Sequence, residues 1–203
     1  MLSNRQYDHI FKFTLLGKNG SGKTSLILRY LDDIFNQKTQ LLRGHDYRIK
    51  IMDFENKLIK LKLWEPEPCC RRYEYIPYSY EISGAHGLLF VYDLTDIESF
   101  TFIQNLINKY KNKDKKGINK VCKILVANKC DKSGKCISEK DVRNLCNENN
   151  MIFFETSAKN NINVNKVFEL MIRQSLDNIN KDPSYTKGLS LTINKQKEKS
   201  YCW

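Results

Sequence analysis

One octapeptide limits what this chain can fold into. Gly17-Lys18-Asn19-Gly20-Ser21-Gly22-Lys23-Thr24 fits the pattern G-x-x-x-x-G-K-[ST]. A short apolar run at residues 10–16 precedes it and reads as a buried strand, and a helical pattern over residues 26–31 follows. The glycines let the backbone wrap inward, so that its N–H groups point at a phosphate chain. The start of the following helix adds its positive dipole end. Asn19, Gly20, Ser21 and Gly22 form the cradle. Lys23 reaches the outer phosphates, and the Thr24 hydroxyl is a ligand for Mg²⁺. A plain Gly-rich turn would carry the same letters, but it does not need a strand before it and a helix after it.

The rest of the chain repeats that strand–helix alternation. Residues 47–52 and 58–64 alternate like an antiparallel hairpin joined through Glu55-Asn56. Residues 88–92 and 123–127 are near-continuous apolar runs, as central parallel strands should be. Residues 97–110 and 138–149 read as helices, the second capped by Ser138 with Asp141 three residues on. A short strand at 152–154 follows. A last helix then carries Val164, Val167, Phe168, Met171 and Ile172 on one face, with Asn163 as N-cap. After Pro183 the periodicity ends. The pattern predicts an α/β fold, a parallel sheet with helices on both faces, whose ligands sit at the carboxyl ends of the strands. At 203 residues the chain is one domain.

Two further loops stand at strand ends. Asn128-Lys129-Cys130-Asp131 follows the 123–127 strand directly. A carboxylate there accepts two hydrogen bonds from a base edge with adjacent N–H and NH₂ donors, which guanine has and adenine lacks. Asp131 therefore selects guanine, because adenine would leave a buried charge unpaired. Asn128 bonds the base and holds the loops together, and the Lys129 stem covers one face of the ring. Glu155-Thr156-Ser157-Ala158-Lys159 follows the next strand. Ser157, Ala158 and Lys159 are its candidate base-binding residues, with the Ala158 N–H aimed at the guanine oxygen.

Together these three loops resemble those of the Ras-superfamily small GTPases. The segment from Gly84 to Asp96 (GAHGLLFVYDLTD), Lys60-Leu61-Lys62-Leu63-Trp64 and the Asn163-Val164…Phe168 helix start resemble the Rab branch in particular. The resemblance covers about residues 8–180. It implies a P-loop G domain over residues 1–180 with a six-stranded, mostly parallel sheet, and a flexible basic tail over 181–203. It further implies GTP and GDP binding with Mg²⁺, a monomer, effectors and regulators of Rab type, and a role in vesicle traffic. By position, Phe35 matches the aromatic that meets guanine edge-on, though a core aromatic would look the same. Tyr47 and Trp64 match two aromatics that Rabs present to effectors; two core aromatics on a hairpin are the alternative.

The switch segments depart from the family. The Thr that ligates Mg²⁺ and senses the γ-phosphate falls on Leu42, with Thr39 three residues earlier. The family's D-x-x-G-Q reads Glu65-Pro66-Glu67-Pro68-Cys69. Glu65 keeps the charge, one methylene longer, and can still hold a Mg²⁺-bound water. Pro68 has no N–H for the γ-phosphate, and Cys69 replaces the Gln that orients the attacking water. No catalytic residue is intact. Arg71 or Arg72 could serve as an arginine finger, or be plain surface residues. The expectation is a Rab-like protein with slow hydrolysis; the alternative is a non-hydrolysing scaffold with structurally bound guanine nucleotide.

The net charge is +11. Five lysines against Asp182 and Glu198 place +3 of it in residues 181–203, and Lys109, Lys111, Lys113, Lys115 and Lys116 form a second cluster. No aromatic-interleaved basic stripe accompanies the charge, which argues against nucleic acid as a partner. Seven cysteines without framework spacing predict reduced thiols. The polar first eight residues carry no secretory apolar core, so the cytoplasm is the expected compartment. Cys202 is penultimate and no C-a-a-X ending exists, so attachment to endomembranes is expected only if Cys202 carries a lipid.

Overall fold

The computed structural model describes residues 7–36, 47–66, 82–113 and 120–187. In chain order these form β1 (His9–Leu16), α1 (Lys23–Asp32), β2 (Arg48–Phe54), β3 (Lys57–Trp64), β4 (Gly87–Asp93), α2 (Ile97–Lys113), β5 (Cys122–Asn128), α3 (Glu139–Asn149), β6 (Ile152–Glu155) and α4 (Val164–Lys181), then a 3-10 turn, Pro183–Lys187. Six strands lie in one sheet in the order β2-β3-β1-β4-β5-β6. Only β2 and β3 are antiparallel; every other pairing is parallel. The expected α/β architecture is therefore the observed one.

The local reasons match the pattern in the sequence. All seven residues of β4 and all seven of β5 are buried, because helices cover both faces there. One core lies between β4, β5, α2 and α3, around Phe90, Tyr92, Phe100, Tyr110 and Leu125. The other lies between β1, β3, β5, α1 and α4, around Phe11, Phe13, Leu61, Ile124 and Phe168. The hairpin turns on Glu55 and Asn56, both with positive φ (51° and 62°), as a two-residue loop matched to strand twist requires. The chain leaves β1 for β3 on one side and β4 on the other. The strand order therefore reverses beside β1, and a crevice opens beyond the strands' carboxyl ends.

Three expectations need adjusting. Ser138 does cap α3, accepting from the Asp141 N–H at 3.1 Å, but the Asp141 carboxylate accepts from the Ser138 hydroxyl at 2.7 Å rather than closing a full capping box. Asn163 sits at the N-cap of α4 with φ 56° and makes no side-chain cap. Its Nδ2 donates instead to the Glu155 carbonyl at 2.9 Å, tying the helix start to the end of β6. The folded chain continues past Lys181 into the 3-10 turn Pro183–Lys187. Tyr185 in the 3-10 turn is 8% exposed, and its hydroxyl donates to the His86 carbonyl. Residues 188–203 lie outside the described residues.

Candidate nucleotide site

Past the carboxyl ends of β1, β4, β5 and β6 lies a cavity of about 600 Å³. Asn19, Gly20, Gly22, Lys23 and Thr24 line one side, and Asn128, Lys129, Asp131, Ala158 and Lys159 the other; Phe35 and Glu65 also border it. The structure thus brings together most of the residues that the sequence picks out. Ser21 and Ser157 stand behind the lining as supports, each almost fully buried.

Glycine is required where the two halves meet. Gly22 has φ 97°, and a Cβ there would lie 2.2 Å from Asn128 Nδ2. Gly17 is as tight: a Cβ would come within 2.1 Å of the Val91 carbonyl. These approaches bring the loop's backbone against β4 and β5. The Ser21 hydroxyl is buried with no partner among the described residues, a polar orphan inside the phosphate loop.

Lys23 is 4% exposed. Its ammonium donates to the Gly17 carbonyl at 2.9 Å and the Lys18 carbonyl at 3.3 Å, and stands 3.4 Å from Glu65 Oε1. Burial holds it below the usual lysine range, with Glu65 pulling the other way. The Thr24 hydroxyl donates to Glu65 Oε2 at 2.7 Å. The extra methylene of Glu65 is used here: the carboxylate spans from the P-loop threonine to the P-loop lysine. Two hard oxygens side by side, a hydroxyl and a carboxylate, fit Mg²⁺ once phosphate oxygens and waters complete an octahedron.

Asn128, 1% exposed, is the central brace. Its Nδ2 donates to the Ser21 carbonyl at 2.9 Å. Its Oδ1 accepts from the Thr156 hydroxyl at 3.2 Å and the Ala158 N–H at 3.4 Å. One carboxamide therefore ties all three loops. The Ala158 N–H, expected to face a ligand, makes this long contact instead. Lys129 has φ 65°, and its ammonium donates to the Gly20 carbonyl at 2.6 Å. The same ammonium pairs with Asp93 Oδ2 at 2.6 Å, so the stem lies stretched across the cavity. Burial pushes the Asp93 carboxyl up, but the Lys129 ammonium and the Thr95 N–H and O–H outweigh it, leaving it below the ordinary carboxylate value. The Ser157 hydroxyl donates to Asp131 Oδ1 at 2.5 Å and orients that carboxylate.

Two supporting residues lie outside the three nucleotide loops read from the sequence. Arg29 of α1 donates from Nε to the Ala158 carbonyl at 2.8 Å and from Nη2 to the Lys159 carbonyl at 3.1 Å. In sequence it is an ordinary helix arginine 129 positions away from its partner. Asp93 ends β4, within the Gly84–Asp96 segment singled out in the sequence.

The aromatic pair divides. Tyr47 is 42% exposed, but Trp64 is 4% exposed, so Trp64 is not presented freely as expected. The ring centroids lie 6.0 Å apart, and the Lys12 ammonium sits 4.2 Å from the Trp64 ring centroid. Burial, with the neighbouring Lys62 charge, brings Lys12 down to about 8. Phe35 is partly buried against the second core and also borders the cavity. Thr39, Leu42, Glu67, Pro68, Cys69, Arg71 and Arg72 lie outside the described residues, as does Cys202. Cys122, Cys130, Cys136 and Cys146 are free thiols. Among the described residues no helix is long and apolar enough to cross a membrane.

A family model described as the Ras family matches residues 12–177. Ras-related protein Rab-13 from Bos taurus is 38% identical over 189 residues, covering 89% of this chain and 91% of that protein. GTP-binding protein YPT1 from Saccharomyces cerevisiae is 34% identical over 197 residues, covering 97% and 91%. Ras-related protein Rab-1 from Theileria parva is 32% identical over 196 residues, covering 94% and 85%.

Proposed function

The chain belongs to the Ras family, on its Rab branch, and from that premise we propose a small GTP-binding protein of vesicle traffic that turns GTP over very slowly. The observation that carries this reading is the single Asn128 carboxamide tying the P-loop to the base loop and the Ala158 loop. Guanine nucleotide lies in the cavity with its phosphates in the 19–24 loop. Asp131, oriented by Ser157, reads the N–H and NH₂ edge of the base. Lys129 covers the ring from one side, Phe35 meets its edge, and Lys159 adds its stem. Thr24 would hold Mg²⁺ directly and Glu65 through water, and the ion would neutralise charge at the phosphates.

In this reading Lys23 exchanges its two carbonyl partners for phosphate oxygens. Its ammonium is buried beside the single Glu65 carboxylate, and phosphate oxygens would add the negative charge that burial leaves it needing. Turnover is slow because the water-orienting and γ-phosphate-sensing positions hold Cys69, Pro68 and Leu42. Intrinsic small-GTPase rates are about 10⁻⁴ s⁻¹, and losing one positioned group costs about 10²-fold, giving a half-life on the order of days. The folded body acts as a monomer over residues 1–180 together with the 3-10 turn at Pro183–Lys187, and the rest of the tail is basic. The protein works from the cytoplasm, peripheral on endomembranes where Cys202 is lipidated, and meets effectors and regulators of Rab type over Tyr47 and the edge of Trp64.

The test is to load purified protein with GTP and Mg²⁺, remove free nucleotide, and follow the bound nucleotide by chromatography for two days. Bound GTP decaying to GDP over days is the expected result. Complete conversion within an hour overturns slow turnover. GTP that never decays selects the non-hydrolysing alternative.

A further inference from the structure

The strands β1, β2 and β3 turn one face toward α1 and α4, and alternation sends every second residue the other way. On β1 those residues include Ile10 and Lys12, and on β3 Lys60, Lys62 and Trp64. On β2 they are Ile49 and Ile51, with Tyr47 just before the strand. Side-chain contacts fit one shared face. The Lys12 ammonium lies 4.2 Å from the Trp64 ring centroid and 5.5 Å from that of Tyr47, and the Lys62 ammonium lies 5.7 Å from that of Tyr47. The alternate residues of β2 look inward: the Lys50 ammonium sits 4.1 Å from the Tyr30 ring of α1. The register sets two rows across the strands, Ile49–Lys62–Lys12 and Ile51–Lys60–Ile10.

This face is apolar and cationic at once. Ile10, Ile49 and Ile51 are 46%, 50% and 45% exposed. With Tyr47 they make up four of the eight large apolar side chains that stand exposed among the described residues, so the exposure is clustered and not scattered. Among the described residues, Lys12, Lys60 and Lys62 take part in none of the ion pairs. Lys12 and Lys62 are direct neighbours in the register, a like-charge pair that an anion above it would relieve. Negative charge gathers at the hairpin end instead. Asp53 pairs with Leu58 there, and the Asp8 carboxylate accepts from the Leu58 N–H at 2.6 Å.

We propose that this face docks an amphipathic helix of a protein partner, with carboxylates one turn apart between apolar side chains, its acidic end toward Trp64 and its neutral or basic end toward Asp53. This docking rests on the Rab-type reading, in which effectors meet Tyr47 and the edge of Trp64, and adds the partner's charge and direction. Carboxylates at i and i+4 stand about 6 Å apart on a helix. Lys60 and Lys62, two residues apart on β3, are spaced by about 6.5 Å. Ile49 and Ile51 lie to one side of β3 and Ile10 to the other. Two strand spacings, about 10 Å, separate those sides, which is about the width of a helix. Other occupants fit worse. A strand added at the outer edge of β2 would reach neither Lys60 nor Lys12, which stand on the second and third strands from that edge. A second copy of this face would set lysine against lysine. A uniformly anionic membrane would meet Asp53 and Asp8 as well as the lysines.

The experiment uses the full-length protein, loaded with GDP and labelled at its isoleucine methyls for NMR. Two designed peptides of about 20 residues, long enough to be helical alone, share one leucine stripe. One carries glutamates beside the stripe and the other lysines. Phosphatidylcholine vesicles with phosphatidylserine are added separately. The glutamate helix should shift the Ile10, Ile49 and Ile51 methyls saturably and bind about tenfold or more tighter than the lysine helix. K60E/K62E should weaken the glutamate helix by about tenfold and make the lysine helix the tighter ligand. K60Q/K62Q, a milder change, should weaken the glutamate helix without that reversal. Asp53→Lys should tighten a helix that is acidic throughout by about threefold; no change there overturns the assigned direction. Equal binding of both helices, shifts confined to other methyls, or lysine variants that bind as wild type does overturn the proposal. Vesicles that shift these methyls when neither helix does overturn it in favour of a membrane. Chromatography of the nucleotide held by the same samples tests the GTP-binding reading separately: protein without guanine nucleotide fails that reading, whatever the helices do.

Discussion

The two ends of the nucleotide cavity are built differently. At the base end the reading groups are cross-linked from behind. Asn128 joins three loops, Ser157 fixes Asp131, Asp93 fixes Lys129, and Arg29 holds the carbonyls of Ala158 and Lys159. At the γ-phosphate end one carboxylate, Glu65, bridges Thr24 and Lys23. The proposed switch positions hold Leu42, Pro68 and Cys69. Recognition of guanine and hydrolysis of GTP place separate demands on a G domain. The first needs a rigid frame of donors and acceptors, and this chain has it. The second needs particular groups near the γ-phosphate, and the proposed reading puts Leu42, Pro68 and Cys69 at those positions.

The sharpest break of that comparison comes from Asp131→Ala. Removing the carboxylate leaves the guanine N–H and NH₂ without their acceptor, so the preference for GDP over ADP should fall by about 10⁴-fold. Competition of both nucleotides against a fluorescent GDP measures it. A variant that still preferred GDP as strongly as wild type would move base recognition elsewhere. Lys23→Ala acts on the phosphates and not the base. Affinity for GDP should drop by about 10²-fold while guanine selectivity is kept, since one preorganised cation in a buried site is removed. Equal losses for guanosine and GDP would show that Lys23 supports the fold and not the phosphates.

The γ-phosphate end is sharpened by restoration. Pro68→Gly returns an N–H, and Cys69→Gln returns a side chain that can orient water. The double variant should hydrolyse bound GTP about 10²-fold faster than wild type, with GDP affinity unchanged within about threefold. Single-turnover decay of loaded GTP reads the first number and nucleotide competition the second. If the rate does not move, the limit lies at Leu42 or Glu65, and Leu42→Thr is the next variant to load.

The nucleotide site is more legible in the sequence than the frame that holds it. Gly17 to Thr24, Asn128 to Asp131 and Ser157 to Lys159 are local motifs, because phosphate and base contacts need fixed spacings along a few residues. The strands are legible for a similar reason: β4 and β5 are buried on both faces and must be apolar throughout. Arg29 and Asp93 are not, since each meets its partner only after the sheet forms. Trp64 reads as a presented aromatic by its position in the family pattern, and only the folded sheet shows that Lys12, a sheet neighbour, covers its ring. Asn163 reads as a cap because the residue type favours caps. Its side chain is taken by the Glu155 carbonyl, a partner that sequence cannot place. Tyr185 follows a proline in a polar tail, and only the fold brings His86 to it.

The smallest of these effects tests whether the base end depends on its frame. Arg29 is not among the residues lining the cavity; it holds the backbone of the Ala158 loop from behind. Two of its hydrogen bonds end on the carbonyls of Ala158 and Lys159, and the Asp33 carboxylate, 2.8 Å from Nη1, keeps the guanidinium in place. Arg29→Ala leaves those carbonyls to find water at the loop surface, which costs about 1–2 kcal/mol. Most of that cost should fall on the loop and not on the whole fold. Affinity for GDP should therefore weaken by roughly threefold to tenfold, at about 1.4 kcal/mol per tenfold, and amide exchange should quicken at residues 156–160 but not in β4. Arg29→Lys keeps the charge but loses the planar fork that reaches two carbonyls at once, so it should recover little of the loss. Full recovery by lysine would mean that the charge beside Asp33 matters, and the brace does not.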